Sequence, residues 1–443
     1  MGIRQVAIDA SSITVGMYVS NLDRPWLETP FVFQGFEVRD RVDIEMLQSY
    51  CSVVYIDVDR GDLSPAQVQR LLNSKRPKGR TAPGSTERRS REPGKLLRWL
   101  QKLLRRLGLH RQSLAIESRG DTGYRLQSTV RAEATPARDA WLRLADHHEK
   151  MLERAKIRGD VQMSALRRAV QPVIDSVIRN PNAMAWTVFA RKHDSEQYNR
   201  AVGTAVWCLL FGRQLGFDRE SLEELVTGGM LLDIGNARIP PSIAATRGPL
   251  SSQQYEFLRQ HVEFGVDMLE FSQGVTENVI DMVRCHQERY DGSGYPLGLR
   301  GSKIPPFARI AAIADCYDAM TTASPYAQPM AGYDAARALN EMRGKAFAAE
   351  VVEQFIATIG MFPVGSIVEL NNRSVAIVLE LNPHNVLRPK LLQLLDGNHE
   401  PLKKPSVIEM RDLPPDATHT NALWIVRGHE HGAFGIDPLK VFR

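Results

Sequence analysis

Asp233, His261, His286 and Asp315 are the residues of this chain best suited to hold a divalent ion. Each lies in a helical pattern. Asp233 ends a helix in MLLDIGN, and His261 sits mid-helix in FLRQHVEFG. His286 closes an apolar run just before a glycine-rich turn, and Asp315 lies within RIAAIADCYD. Imidazole nitrogens and carboxylate oxygens brought together from separate helices suit Mn, Fe or Zn, and carboxylates can bridge two ions. Such spacing is weak evidence by itself, because a lone helical histidine is more often solvated or a satisfied core residue. The neighbouring pair His147-His148 points in directions about 100° apart on a helix, which makes it a poor ligand pair and predicts a surface position.

The elements that must carry these residues are helices. From about Ala137 the chain reads DAWLRLADHHEKMLERAKIRG and then MSALRRAVQPVIDSVIR. Further helices are expected over 183–192, 198–215, 219–232, 252–270 and 275–286. No βαβ alternation interrupts them, so the fold class is multidomain with a central all-α domain over 128–360. Residues 1–70 read as a small N-terminal α/β domain. There VAIDASSITVGMYVS alternates in strand fashion, 38–50 has helical spacing, and VVYIDVD is a buried strand. Pro25-Trp26 and Gly35-Phe36 are expected as core. After Gly360, SIVELNN, VAIVLEL, PKLLQLLD and NALWIVRG read as strands of a small C-terminal β module over 361–443, with Asn371-Asn372-Arg373-Ser374 as a hairpin turn.

Composition sets the remaining limits. The 443 residues suffice for two or three domains and a large core, and 43% hydrophobic with 24% charged residues is ordinary for a globular chain. Cys51, Cys208, Cys285 and Cys316 form no CxxC pair, which argues against a zinc ribbon or disulfide framework and for a reducing compartment. No signal peptide or membrane-spanning run is present, so the expected location is cytoplasmic. The net charge of +5 hides a strong asymmetry: residues 75–111 hold 13 basic side chains against 2 acidic ones, leaving the rest net acidic. This segment belongs to a basic flexible linker over 71–127. Within it, GKLLRWLQKLLRRLGL (94–109) places leucines and Trp99 on one helical arc and Lys and Arg on the other. That pattern suits peripheral contact with an anionic membrane or docking on the protein itself. With Trp99 as its only aromatic, the segment is not expected to bind nucleic acid.

The stretch ERYDGSGYPLGLRGSKIP, followed by ARIAAIADCYDAMTT, resembles the HD-GYP family of metal-dependent phosphohydrolases. Glu288, Arg289, Asp291, Gly292, Gly294, Tyr295 and Pro296 match in register, and Gly294-Tyr295-Pro296 is the signature triplet. LLDIGNARIP and RQHVEFG resemble the family's upstream segments, so the likeness covers about 194–355. WLETPFVFQGF and CSVVYIDVD resemble an uncharacterised domain that precedes HD-GYP domains in some bacterial proteins. The resemblance implies a two- or three-metal centre of Fe or Mn that hydrolyses cyclic di-GMP. It implies Asp233, His261, His286 and Asp315 as metal ligands, with Asp233 also catalytic if the centre is active. The loop 288–296 is then a substrate or protein-contact surface, with diguanylate cyclases among its partners.

Several family positions are lost. The family's histidines fall on Tyr198, Leu232 and Gln287, its phosphate-binding lysine on Asn236, and an arginine on Ser324. Two divalent ions need a near-complete ligand shell, and lost cations weaken transition-state stabilisation. The expectation is a cyclic di-GMP signalling protein, catalytically degenerate, with fewer ions than active members, working through nucleotide or protein binding. An active phosphodiesterase with a reduced metal site and a scaffold without nucleotide affinity are the alternatives.

Overall fold

The structure, a computed structural model, describes residues 5–22, 36–38, 44, 47–48, 51–61, 124–194, 198–244, 251–323, 328–382, 385–413 and 423–437. The segment 94–109, Trp26 and Ser324 lie outside the described residues. The chain divides into two units, Met1–Ala115 and Ile116–Arg443.

In the first unit, strands β1 (Gln5–Asp9), β2 (Met17–Leu22), β3 (Phe36–Glu37) and β4 (Val53–Gly61) form an antiparallel sheet in the order β1-β4-β2-β3. The alternating run at the N-terminus is two strands rather than one. The Asp9 carboxylate accepts from the Ser11 backbone N–H and starts a 3-10 turn, and Gly16 then takes a positive φ before β2 begins. Ile44, Leu47 and Gln48 are helical, and Leu47 packs with Val19, Val54 and Ile56 in a fully buried cluster.

The second unit opens with helices α1 (Val130–Arg158), α2 (Met163–Arg179), α3 (Pro181–Asp194), α4 (Arg200–Gln214) and α5 (Arg219–Leu231). There follow α6 (Ser252–Arg259), α7 (His261–Glu270), α8 (Glu277–Cys285), α9 (Pro306–Met320), α10 (Gly332–Glu341) and α11 (Ala349–Ile359). Polar caps start several of them: Thr129, Asn199 and Asp218 each accept a backbone N–H of the first turn, and Ser251 with Gln254 forms a capping box. Helix α4 is buried from Val202 through Arg213, so it is the axis of the bundle. It contacts α5 and α9, and the Phe211 ring meets Phe355 of α11 edge-on at 5.2 Å.

The expected helix over 252–270 is two helices. At Gln260 the backbone tightens (φ −65°, ψ −10°), and its N–H bonds to Phe257 and Leu258. His261 therefore begins α7 instead of lying mid-helix. The break has no glycine or proline to announce it.

Beyond Gly360 the chain forms strands β5 (Ile367–Leu370), β6 (Val375–Glu380), β7 (Lys390–Leu395), β8 (Pro401–Glu409) and β9 (Ile425–His429), all antiparallel in the order β8-β7-β6-β5-β9. The fold class read from the sequence is thus the one observed. The turn between β5 and β6 is the expected Asn371–Ser374, with Arg373 at φ 67° and the Ser374 N–H donating to the Asn372 side chain. Strand β8 (PLKKPSVIE) has no sequence signal. It is a largely exposed edge strand, where prolines and lysines are tolerated and no apolar alternation is required. No helix among the described residues is long and apolar enough to cross a membrane.

Candidate metal centre

Asp233 follows α5 at the turn into a 3-10 segment, Ile234–Arg238. That turn lies against the start of α7: a Cβ on Gly235 would sit 1.9 Å from the His261 carbonyl oxygen. Only glycine permits this approach, which sets Asp233 beside His261. His286 is the C-cap of α8. The ligand atoms of Asp233, His261 and His286 all lie within 4.8 Å of one another. His261 Nε2 is 3.4 Å from Asp233 Oδ1 and 3.4 Å from His286 Nε2.

The other ring nitrogens are tied to backbone. His261 Nδ1 is 2.7 Å from the Leu258 carbonyl, which the break at Gln260 leaves within reach, and His286 Nδ1 is 2.9 Å from the Val283 carbonyl. A carbonyl only accepts, so each Nδ1 carries a ring proton, and a neutral ring in this orientation presents its Nε2 lone pair. Two lone pairs and a carboxylate then face one another, the two rings buried and Asp233 partly exposed, a donor set suited to a cation. A backbone hydrogen bond on the far nitrogen is also how metal-ligating histidines are ordinarily oriented. Burial pushes the His286 pKa down and keeps the ring neutral, with the Asp233 carboxylate pulling the other way. Burial would raise the Asp233 pKa, but Arg200, then His286 and His261, bring it below the usual value. These three residues fit one Mn, Fe or Zn ion.

Asp315 is not part of this group. It lies on α9 and accepts from Arg200 Nη2 at the start of α4. The Arg200 cation also interacts with Asp233 and Asp318. Three residues along α9, Asp318 is fully buried, and its Oδ1 receives three donors: Tyr198 Oη at 2.7 Å, Lys192 Nζ at 2.8 Å and Trp207 Nε1 at 3.0 Å. Lys192 also donates to Thr321 Oγ1 at 2.6 Å, and its Nζ lies 5.4 to 5.9 Å from the rings of Tyr198, Tyr317 and Trp207. Tyr198 thus points at Asp318, and its hydroxyl fills the space over Gly203, where a Cβ would sit 1.8 Å from it. Burial raises the Tyr198 pKa well above its ordinary value, so the phenol stays protonated and serves as a donor.

The remaining lost positions are as follows. Leu232 is a buried apolar side chain beside Asp233, Asn236 is exposed, and Gln287 receives Arg289 Nη2 at 3.3 Å. In the loop, the Glu288 carboxylate is buried and accepts the Leu297 and Leu299 backbone N–H groups at 2.7 and 2.9 Å, which staples the loop shut. Arg289 bonds to the His286 and Glu288 carbonyls, and Asp291 accepts from Ser293. Gly292 has φ 82°, Gly294 lies against the backbone of residues 287–289, and Tyr295 stacks under the Arg259 guanidinium at 4.3 Å. Pro296 and Leu297 are the apolar groups left facing outward.

The surface position expected for His148 is wrong. His148, on α1, is 8% exposed, and its Nδ1 is 3.0 Å from Asn199 Nδ2. Asn199 Oδ1 is already used to cap α4, so its amide nitrogen must face His148, and the His148 proton resides on Nε2. Burial pushes the His148 pKa down to about 4, against the attraction of Asp233. Lys192, Arg200, Trp207 and Asp318 also escaped the sequence reading. The one available signal was the spacing of Asp315 and Asp318, which share a helix face.

Comparison with known proteins fits this geometry. The model for the HD domain matches residues 182–351, and that for a domain of unknown function (DUF3391) matches residues 5–166. Residues 182–351 are thus an HD domain. It is 26% identical over 386 residues to a cyclic di-GMP phosphodiesterase of Pseudomonas aeruginosa, a match that spans 87% of this chain and 84% of that one. A cyclic di-GMP phosphodiesterase of Thermotoga maritima is 34% identical over 144 residues, 32% of this chain and 39% of that protein. Among solved structures, an HD-GYP-type protein from Bdellovibrio bacteriovorus aligns with a TM-score of 0.38 and 15% identity, covering 80% of this chain and 98% of that one. The HD domain holds every residue of the ion group and of the Asp318 cluster, while His148 on α1 falls within the DUF3391 match.

Proposed function

We propose that this HD-GYP-type chain is a cyclic di-GMP signalling protein whose HD domain no longer hydrolyses the nucleotide and acts by binding it or partner proteins. The observation that carries this reading is the Arg200 guanidinium paired with Asp315. A second divalent ion would need that carboxylate and would have to sit beside a fixed positive charge. Leu232 supplies no donor, and Tyr198 spends its hydroxyl on Asp318. Hydrolysis of a phosphodiester by clamped metal ions relies on ions stabilising both the attacking and the leaving oxygen. One ion held by Asp233, His261 and His286 would supply Lewis-acid polarisation of a phosphoryl oxygen. The protein's own part is to hold the two imidazoles in the Nδ1–H tautomer and to keep Asp233 ionised. The named relatives support cyclic di-GMP as the nucleotide, and the stapled loop with Pro296 and Leu297 outermost supports a protein-contact role.

Metal analysis of the full chain after loading with Mn or Fe, joined to a cyclic di-GMP turnover assay and calorimetry, tests this. The expected result is at most one ion per chain, nucleotide binding and no linear product. Release of linear dinucleotide or GMP would establish the other reading, a phosphodiesterase with a one-ion centre, which the intact Asp233–His261–His286 group favours.

A further inference from the structure

A cavity of about 580 Å³ lies within the second unit, between α3, α4 and the end of α9 on one side and the β module on the other. Its volume falls in the range of roughly 300–1,000 Å³ common for small-molecule sites. The walls are mostly apolar and aromatic, with Phe189, Trp207, Leu210, Tyr317 and Met330 prominent. None of Asp233, His261, His286 or Asp315 contributes to them, so the cavity is separate from the ion group.

Arg213 stands in this wall and is 7% exposed. Both of its hydrogen bonds leave from Nη2, to the Tyr124 carbonyl at 3.2 Å and the Ile178 carbonyl at 3.5 Å. The Tyr124 ring lies 5.5 Å from the guanidinium. Its Nε–H is buried with no acceptor, and no described carboxylate pairs with it. Lys192 in the same wall is matched by Asp318, which shows how this unit otherwise treats a buried cation. Glu430, on the β-module side, makes no bond to Arg213. A buried charge without a counter-charge is costly, so buried charges are ordinarily paired.

We propose that this cavity binds a small, mostly apolar molecule with a single anionic head group, whose head group pairs with Arg213. The guanidinium offers a planar set of donors suited to a carboxylate. The aromatic and aliphatic walls take the apolar body.

The test uses the full chain with decanoate and decanol, each below its micelle-forming concentration, read by calorimetry and thermal shift. Decanoate is expected to bind about tenfold tighter than decanol, because the two differ by one charge-assisted hydrogen-bonded contact. Arg213→Met is expected to erase the preference. Ala185→Phe, which fills the cavity and keeps the cation, is expected to abolish binding of both. Equal affinity for the two probes in the wild-type chain, a preference that survives Arg213→Met, or undiminished binding by Ala185→Phe would each overturn the proposal. The wild-type comparison and Ala185→Phe decide the matter even if Arg213→Met fails to fold.

Discussion

The helical unit treats two groups of clustered acceptors in opposite ways. Around Asp318 the positive charge is the chain's own: Lys192 enters from α3, and Tyr198 and Trp207 complete the set. Around Asp233 the acceptors face one another with no donor among them. Arg200 stands between the two, bound to Asp315 and attracted to both Asp233 and Asp318. In the first cluster Asp318 Oδ1 takes all its donors from the chain, while Oδ2 is buried without a hydrogen-bond partner; the second group supplies no donor of its own and suits an ion or a proton.

The contrast can be broken most severely at Lys192. Lys192→Met leaves Asp318 buried and uncompensated, and urea denaturation should show a loss of about 3–5 kcal/mol. Adding Asp318→Asn should recover most of it. If the single variant is as stable as wild type, the cluster is not held together by its charges. At the other half, His286→Ala should cost little stability but lower Mn or Fe affinity by about 100-fold or more, measured by competition with a chelator. Retained affinity would mean that the three-residue group is not the ion site. Arg200→Ala probes the boundary. It frees Asp315 and removes a competing cation, so ion affinity should rise by roughly tenfold. An unchanged affinity would show that Arg200 does not limit ion binding at this group.

The smallest effect lies away from both clusters, at Glu353. Burial pushes its pKa up to about 7, against the Arg343 guanidinium 3.2 Å away. The folded pKa exceeds the unfolded one, so the stabilising contribution is fully present below about pH 4.5. It is lost as the pH rises through about 7, by some 1–2 kcal/mol after allowance for partial exposure. Glu353→Gln should flatten stability between pH 5 and 7. A slope that persists in that variant would place its origin elsewhere.

Much of this architecture was legible in the sequence. Asp233, His261 and His286 each lie at a helix end or turn, and their local segments are distinctive enough to be read one at a time. The helical unit and most strands follow from apolar periodicity. What escaped depends on contacts between distant segments. Nothing local reveals that Arg200 will meet Asp315 or that Lys192 will enter a ring of aromatics around Asp318. His148 was misjudged because the spacing of His147 and His148 excludes a shared ligand role but not burial of one member. Strand β8 lacked alternation because an exposed edge places few demands on side-chain type.

Helix α1 bears on how this protein can be taken apart. It runs 29 residues, about 43 Å, and delivers His148 against Asn199 inside the helical unit. The DUF3391 match ends beyond it at residue 166, whereas the compact unit that contains it begins at residue 116. A fragment cut at the family boundary would strip Trp141, Leu144 and Met151 from the packing they bury. Helix α1 thus belongs to the core of the second unit although the upstream family match includes it, and recombining such modules requires α1 to travel with the helices it covers.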